Sequence, residues 1–372
     1  MPRWRRTRSP STWIVSLALM SLVLVFFVVE GLTSQGDWLT MLGTSPTSTA
    51  SAIGEDALWY EVYFTQPYLP QAKSKRGGVD AALVESIERA RLSVDLAMYN
   101  LDLWSVRDAL LNAHRRGVSV RMVTDSDQLD SPEIQQLKEN GIPVLGDRRE
   151  GLMHNKFVVI DRIEVWSGSM NLTVSDTYRN DNNLIRIRSS RLAENYLSEF
   201  EEMFTEDQFG PGSPANTPHP TLSVNGTTLQ VYFAPEDGVA QHLLALIGGA
   251  KQSISFLAYS FTSDELATAL IERASQGIAV AGVFEQSQYL SNVGTEYDRL
   301  RTSGLEVRLD GNPQQMHHKV MILDGQIVVT GSYNFSSNAE RQNDENVLIL
   351  YSQAIAEQYL AEFQRIYEQA QR

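Results

Sequence analysis

Two stretches of this 372-residue chain carry the same residues at a constant sequence separation of 163 positions, as His154 and His317 do. The pairs are His154 and His317, Lys156 and Lys319, Asp161 and Asp324, Gly168 and Gly331, Ser169 and Ser332, and Asn171 and Asn334. A repeat of this regularity indicates two copies of one structural unit, and two copies are too few for a solenoid. The chain is therefore constrained to a paired architecture with a shared site where the copies meet.

Strands and helices alternate within each copy. Residues 92–99 and 254–259 are typical of strands, and each is followed by an amphipathic helix that ends at a glycine, Gly117 or Gly277. Glycine at that position suits a left-handed C-cap. Because another strand follows each glycine, we predict an α/β fold with largely parallel sheets covered by helices, duplicated into two units related by a pseudo-twofold axis.

The N-terminal residues carry a membrane signal. Four arginines within positions 3–8 precede the uncharged apolar run 13–29, which is just long enough to cross about 30 Å of hydrocarbon. The positive flank predicts a cytoplasmic N-terminus and exported repeats. A cleaved signal peptide is the alternative, although its apolar region is usually shorter, about 7–15 residues. We expect a single-pass membrane protein with extracytoplasmic repeats, or a secreted protein if the segment is cleaved.

The predicted organisation has five parts, each with its own composition. They are the anchor 1–30, a Ser/Thr/Gly-rich flexible spacer 31–56, the first repeat 57–208, a Gly/Pro-rich linker 209–226 and the second repeat 227–372. Because both copies of the motif lie in one chain, no second subunit is needed for the site. We therefore expect a monomer with an intramolecular pseudo-dimer.

Net charge and cysteine content exclude several classes of protein. The formal net charge is −14, and the chain has no cysteine. Disulfides, thiol nucleophiles and thiolate metal sites are thus excluded. Proteins that bind nucleic acid along an extended groove are usually basic, because lysine and arginine neutralise the phosphates. The acidic charge therefore argues against such a groove, although it leaves room for a small basic pocket.

The residue types in the repeated motif suit a phosphodiester. The apolar residues after each lysine predict a strand, on which residues two apart point to the same side, so that histidine and lysine project together. Lys156 and Lys319 would place two positive charges on the non-bridging oxygens. The imidazoles of His154 and His317 would form an in-line pair, in which one attacks phosphorus and the other protonates the departing oxygen and then activates water.

Side chains further along the motif can complete a phosphate site. The amides of Asn171 and Asn334 can donate hydrogen bonds to the phosphate oxygens, and Ser169 and Ser332 can add hydroxyls or hold neighbouring backbone. A metal site is the main alternative for paired histidines. Lysine stands in each motif where a second ligand would be needed, so we expect no metal and no cofactor.

Other polar and aromatic residues have simpler interpretations. Asp161 and Asp324 stand at strand ends, where we expect them to pair with cations or cap backbone. His318 should face away from its neighbours as a packing or surface residue. Tyr99 and Tyr259 are expected to pack in the core rather than line a pocket. Among the acidic residues of the last helix, Glu357 and Glu362 are typical of a solvated face.

The doubled pattern His-x-Lys-x4-Asp-x6-Gly-Ser-x-Asn resembles the signature of the phospholipase D superfamily, over residues 60–370. The resemblance implies an α/β sandwich in each repeat, a covalent phosphohistidine intermediate and no metal. It leaves the substrate open, because the superfamily includes phospholipases, cardiolipin synthases and hydrolases, nucleases and tyrosyl-DNA phosphodiesterases.

The resemblance also assigns orienting residues. Members of the superfamily hold each catalytic histidine through a polar residue of the opposite half, and Asn182 and Glu345 share the 163-residue spacing in the matching region. Glu345 would then hold His154, and Asn182 would hold His317. Because a carboxylate favours a cationic imidazole, His154 is assigned as nucleophile and His317 as acid and base.

We therefore expect a membrane-anchored phosphodiesterase of phospholipase D type, acting on phospholipid headgroups. A metal-independent endonuclease for single-stranded nucleic acid is the alternative. A phosphatidyltransferase similar to cardiolipin synthases and a non-catalytic headgroup-binding scaffold are minor alternatives. A scaffold would be expected to lose a histidine or lysine from one motif, and both motifs are complete.

Overall fold

The structure is a computed structural model, and it describes residues 59–68 and 70–370. The predicted anchor 1–30 and spacer 31–56 lie outside the described residues. Within the described part of the chain, no helix combines the length and apolar character needed to cross a membrane.

The first half builds a seven-stranded sheet. Its strands are β1 (Tyr60–Phe64), β2 (Ser93–Met98), β3 (Ser119–Thr124), β4 (Val144–Gly146), β5 (Lys156–Ile160), β6 (Glu164–Gly168) and β7 (Asn183–Arg188). Their order across the sheet is β1-β7-β6-β5-β2-β3-β4, in which β2, β3 and β4 are parallel neighbours and every other pairing is antiparallel. The prediction of largely parallel sheets is therefore wrong. Only three residues join β5 to β6, and so short a connection forces an antiparallel hairpin.

The second half repeats this topology with one strand added. Its strands are β8 (Thr221–Val224), β9 (Thr227–Ala234), β10 (Ser253–Ala258), β11 (Ala279–Phe284), β12 (Glu306–Leu309), β13 (Lys319–Leu323), β14 (Ile327–Gly331) and β15 (Glu345–Tyr351). The order β8-β9-β15-β14-β13-β10-β11-β12 matches the first sheet strand for strand after β8. Strand β8 falls inside the predicted linker 209–226. Asn225 and Gly226, with φ +49° and +80°, form the tight turn that pairs it with β9.

Twelve helices accompany the sheets in the described residues. They are α1 (Pro70–Ser74), α2 (Asp80–Arg89), α3 (Trp104–Arg115), α4 (Pro132–Glu139), α5 (Val174–Tyr178), α6 (Ser190–Phe204), α7 (Val239–Gly249), α8 (Asp264–Ser275), α9 (Gln286–Ser291), α10 (Tyr297–Thr302), α11 (Ser337–Arg341) and α12 (Gln353–Gln369). Gly117 and Gly277 follow α3 and α8 with φ +89° and +88°, which confirms the predicted left-handed ends. Ser189 and Ser352 cap the equivalent helices α6 and α12 through their hydroxyls.

One apolar core joins the two sheets, and two further cores lie on their outer faces. The shared core combines side chains of both sheets, such as Phe157 and Val320, with Tyr196 of α6 and Tyr359 of α12. Helices α2, α3 and α4 cover the outer face of the first sheet, and α7, α8 and α10 cover that of the second. Because helices α6 and α12 lie in the shared core, their polar residues are available to groups between the sheets.

Candidate functional site

The two motifs stand at equivalent ends of equivalent strands. Lys156 is the first residue of β5, and Lys319 is the first residue of β13. The next side chains, Phe157 and Val320, lie in the core between the sheets. Since side chains alternate along a strand, the lysines point to the opposite face, and the histidine two residues earlier projects with each of them.

Backbone hydrogen bonds between the repeats bring the two motifs together. The N–H of His154 donates to the carbonyl of Asp344 at 3.0 Å, and the N–H of His317 donates to the carbonyl of Asp181 at 2.8 Å. Met153 and Met316 form isolated β-bridges with the same two aspartates. Each histidine is thus fixed to the segment of the other repeat that carries its predicted orienting residue.

Each histidine also contacts that orienting residue through Nδ1. Nδ1 of His154 lies 2.8 and 2.7 Å from the two carboxylate oxygens of Glu345, which is fully buried. Nδ1 of His317 lies 3.0 Å from Oδ1 of Asn182. Because Nδ1 is engaged in both rings, Nε2 is the nitrogen left for chemistry.

A carboxylate that the sequence did not reveal lies beside His317. Oδ2 of Asp176 is 3.6 Å from Nδ1 of His317 and accepts the backbone N–H of Asn171 at 2.8 Å. Ala339 stands 163 residues after Asp176, so the comparison of the repeats gave no signal there. The available clue was local, because Thr173 caps α5 and places Asp176 in its first turn.

Both lysines are buried without a carboxylate partner in the described part of the chain. Lys156 is 1% exposed and donates to the carbonyl of His154 at 2.9 Å, and Lys319 is 2% exposed and donates to that of His317 at 2.8 Å. None of the ion pairs among the described residues includes either ammonium group. Glu345 and Asp176 act to raise the pKa of both lysines but form no ion pair with either ammonium group, so both ammonium groups can still donate hydrogen bonds to an anion.

The tyrosines differ from their expected role in the core. Tyr99 and Tyr259 are half-buried, and their rings lie edge-on to His154 and His317, with centroid distances of 5.3 and 4.5 Å. The two lysine ammonium groups lie over the same rings, at 5.3 and 4.5 Å from the centroids. The expectation of simple core packing is therefore wrong, since these rings form part of the site's wall.

The serines and asparagines divide their tasks. Ser169 and Ser332 are fully buried and accept backbone N–H groups of the neighbouring strand at 3.1 and 3.0 Å, so they hold backbone. Oδ1 of Asn171 and Oδ1 of Asn334 are buried and have no hydrogen-bond partner among the described residues. The unmatched asparagines, rather than the serines, are therefore available to a ligand.

The motif aspartates lie away from the histidines and accept hydrogen bonds from backbone N–H groups. Asp161 accepts the N–H groups of residues 91–93, and Asp324 accepts those of residues 251–253, all at 2.7–3.1 Å. Each aspartate thereby ties the end of the motif strand to the start of the adjacent strand. These contacts agree with the structural role expected of the pair.

Burial sets the charge state of the histidines and lysines. It lowers the pKa of His154 to about 4, although Glu345 acts to raise it, and Lys156 adds to the lowering. Burial and the two lysines also lower the pKa of His317 well below its usual range. The pKa of Lys156 falls to about 8, and that of Lys319 falls well below its usual range, again through burial. Both imidazoles are therefore neutral at pH 7 in the absence of a ligand.

The expected solvated position of Glu362 is wrong, and His318 is a core residue. His318 faces away from its neighbours, as expected, but it is fully buried between the sheets. Its Nδ1 lies 3.0 Å from Nδ2 of Asn183, and its Nε2 lies 3.1 Å from Oε1 of Glu362, which is 4% exposed. Arg365 donates to the same carboxylate, so the charge of Glu362 is balanced internally.

One group of carboxylates in the described residues has the geometry to hold a metal ion. It consists of Glu199, Glu202 and Glu236, and neither motif histidine belongs to it. The histidines and lysines therefore define a separate centre, built from two imidazoles, two ammonium groups and two amides.

Comparison with curated proteins finds relatives that match only part of the chain. The mitochondrial cardiolipin hydrolase of Xenopus laevis is 34% identical over 133 residues, which is 36% of this chain and 63% of that protein. A phospholipase D of Rickettsia conorii is 34% identical over 128 residues, 34% of this chain and 64% of that protein. The chain thus spans less than two-thirds of the length of these relatives.

Comparison with solved structures supports the fold. The phosphatidylserine synthase of Haemophilus influenzae matches with a TM-score of 0.62 and 16% identity, over 83% of this chain and 86% of that one.

The family described as "Cardiolipin synthase, PLD-like domain" matches twice, at residues 83–204 and 243–367. Together these two matches cover more than half of the chain, each including one motif, and the chain belongs to this PLD-like family.

Proposed function

We propose that the chain is a membrane-anchored phosphodiesterase of phospholipase D type, which hydrolyses phospholipid headgroup esters through a phosphohistidine intermediate. The observation that carries this proposal is the pair of buried lysines, each of which donates a hydrogen bond to the backbone carbonyl of its own motif histidine. A phosphodiester is a monoanion with two free oxygens, so each ammonium group can contact one oxygen, and the negative charge offsets part of the repulsion between the two lysines.

In the first step, Nε2 of neutral His154 attacks phosphorus, and the bond to the headgroup oxygen breaks. His317 gives its proton to that oxygen, so the headgroup leaves as an alcohol and the phosphatidyl group remains on His154. In the second step His317 takes a proton from water, and the hydroxide attacks phosphorus. The bond to Nε2 then breaks, which releases phosphatidic acid and restores His154.

Substrate binding would supply the protonated His317 that this sequence needs. In the empty site, burial and the two lysines lower the pKa of His317. A bound phosphodiester anion between the lysines would offset their charge and raise that pKa. The same anion would favour the charged form of both lysines. Glu345 would stabilise the positive charge that develops on His154 as it attacks.

A lipid substrate is supported by two observations and by one prediction from the sequence. Both curated relatives are named for lipids, cardiolipin in one and phospholipid in the other. The net charge of −14 argues against an extended nucleic-acid surface. The anchor predicted at residues 1–30 would place the site beside its substrate, with the repeats outside the cytoplasm, and would raise the effective substrate concentration. One chain would be sufficient for activity, because its two repeats, related by a pseudo-twofold axis, each contribute one motif to the site.

The test uses the full chain in detergent with EDTA, on mixed phospholipid vesicles and on labelled single-stranded DNA and RNA in parallel. We expect released headgroup and phosphatidic acid from the wild type, and none from His154→Ala or His317→Ala. Quenching with SDS at mildly alkaline pH should trap the phosphatidyl group on His154, because a P–N bond to histidine is labile in acid; trapping on His317 instead would reverse the assigned roles. Strand cleavage with intact lipid would refute the lipase and favour the nuclease.

A further inference from the structure

A second set of polar side chains repeats with the same 163-residue spacing behind the motifs. Asn155 and His318 stand between the histidine and lysine of their motifs. Nδ2 of Asn155 donates to Oε1 of Glu199 at 2.9 Å, and Nε2 of His318 lies 3.1 Å from Oε1 of Glu362. Each repeat therefore places one buried glutamate, from α6 or α12, against the back of its motif.

One helical turn further along, the two repeats differ in charge. Arg365 on α12 donates to Glu362 at 2.6 and 2.8 Å and to Asp181 at 2.6 Å, so one guanidinium forms ion pairs with both buried carboxylates. The residue 163 positions earlier is Glu202 on α6. The first repeat therefore carries an additional negative charge where the second carries a built-in cation.

A third carboxylate completes a buried acidic group in the first repeat. Oxygens of Glu199, Glu202 and Glu236 all lie within 4.8 Å of one another. Glu202 is only 2% exposed, and its Oε1 has no hydrogen-bond partner in the part of the chain that the structure describes; the same holds for Oε2 of Glu236. Three largely buried carboxylates this close together repel one another, and a cation between them would relieve that repulsion.

We propose that Glu199, Glu202 and Glu236 bind one divalent cation of the calcium type, in the place that the guanidinium of Arg365 takes in the second repeat. All the donors are carboxylate oxygens, which favour a hard cation. Calcium accepts several carboxylates in flexible geometry, whereas magnesium usually keeps its waters and takes one or two.

The cation would join the two repeats without entering the reaction. Glu199 and Glu202 belong to α6 of the first repeat, and Glu236 follows β9 of the second. Asn155 separates the group from the motif histidine and lysine. The site is thus a structural staple, and it does not depend on the proposed phosphodiesterase function.

The test is a calorimetric titration of the full chain with Ca²⁺ alone, in detergent and after removal of metal with a chelator. We expect one site per chain and a rise in Tm on the order of 5 °C at saturation. Glu202→Gln, which keeps the shape but removes a ligand charge, should weaken binding at least about tenfold. The matched control Glu357→Gln changes an exposed residue of α12 and should leave binding unchanged.

A charge-restoring variant gives an independent readout. Glu202→Arg copies the second repeat, so it should bind no Ca²⁺ and should have a higher Tm in EDTA than the wild type in EDTA. Absence of Ca²⁺ binding by the wild type, with the same Tm in Ca²⁺ and EDTA, would overturn the proposal. Binding that is undiminished in Glu202→Gln would overturn it as well. None of these readouts uses phosphodiester hydrolysis, so they are separate from the test of the proposed function.

Discussion

Replacing Glu345 by glutamine removes a charge from the site and leaves an oxygen acceptor in its place. The carboxylate lies 2.7 Å from Nδ1 of His154, and the other repeat shows that an amide, Asn182, can hold an imidazole at 3.0 Å. Orientation should therefore survive, and the lost quantity is stabilisation of positive charge on His154. Two charges 4 Å apart interact by about 4 kcal/mol at an effective dielectric constant near 20. Part of this acts in the transition state, so we expect kcat/KM to fall about 100-fold, equivalent to ~2.7 kcal/mol.

The pH profile gives the sign of the effect. His154 attacks as the neutral imidazole, so kcat/KM should be retained above its pKa of about 4 and lost as the pH falls through that value. Because Glu345 acts to raise this pKa, Glu345→Gln should move the acid limb to lower pH. The assay follows hydrolysis of a soluble chromogenic phosphodiester between pH 3 and 8, with the exposed Glu357→Gln as control. A limb that moves upward, or a rate within twofold of the wild type, would refute the reasoning.

Three further predictions concern residues around the motifs. Asp176→Asn should lower kcat about tenfold with little change in KM, because its carboxylate lies beside His317; steady-state kinetics at pH 7 test this, and an unchanged kcat would contradict it. Asp324→Ala should lower the free energy of unfolding in urea by about 2 kcal/mol and leave kcat within twofold, because three backbone N–H groups lose their acceptor; equal stability would disprove the capping role. Burial acts to raise the pKa of Asp324, but these hydrogen bonds outweigh it and lower the pKa overall. The stabilisation of the fold by Asp324 should therefore be complete above the usual pKa of aspartate and be lost as the pH falls through the lowered value. Gly331→Ala should destabilise the fold by roughly 3 kcal/mol, since φ is +145° and a Cβ would lie 2.2 Å from the carbonyl oxygen of Asn346; a thermal scan matching the wild type would exclude that strain.

The spacing between the repeats predicted the residues that the repeats share. It identified the histidines and lysines, and by resemblance the contacts of Glu345 and Asn182, because equivalent positions of duplicated units meet equivalent surroundings. It gave no indication of Asp176, since the second repeat has alanine there. Local periodicity was also insufficient for strand direction, because a hairpin and a helical crossover can join the same two apolar runs.

The burial of Glu362 could not be predicted from the sequence of its own helix. Ile355, Tyr359 and Ile366 are buried on one face of α12, and helical spacing places residue 362 on the same face. A charge at such a position is tolerated only with a buried partner, and here the partners are His318 and Arg365. His318 lies 44 residues away, immediately before β13, so a pattern within the helix cannot reveal it.

The crossed backbone bridges make each repeat depend on the other for the position of its histidine. The segment that holds His154 belongs to the second repeat, and the segment that holds His317 belongs to the first. Neither repeat can change independently near the site, because a change near Asn182 affects the histidine of the other repeat. Residues 154 and 345 therefore have to be compatible with each other, and so do residues 182 and 317. Chimeras that exchange whole repeats between relatives should lose function more often than chimeras that exchange these crossed pairs together.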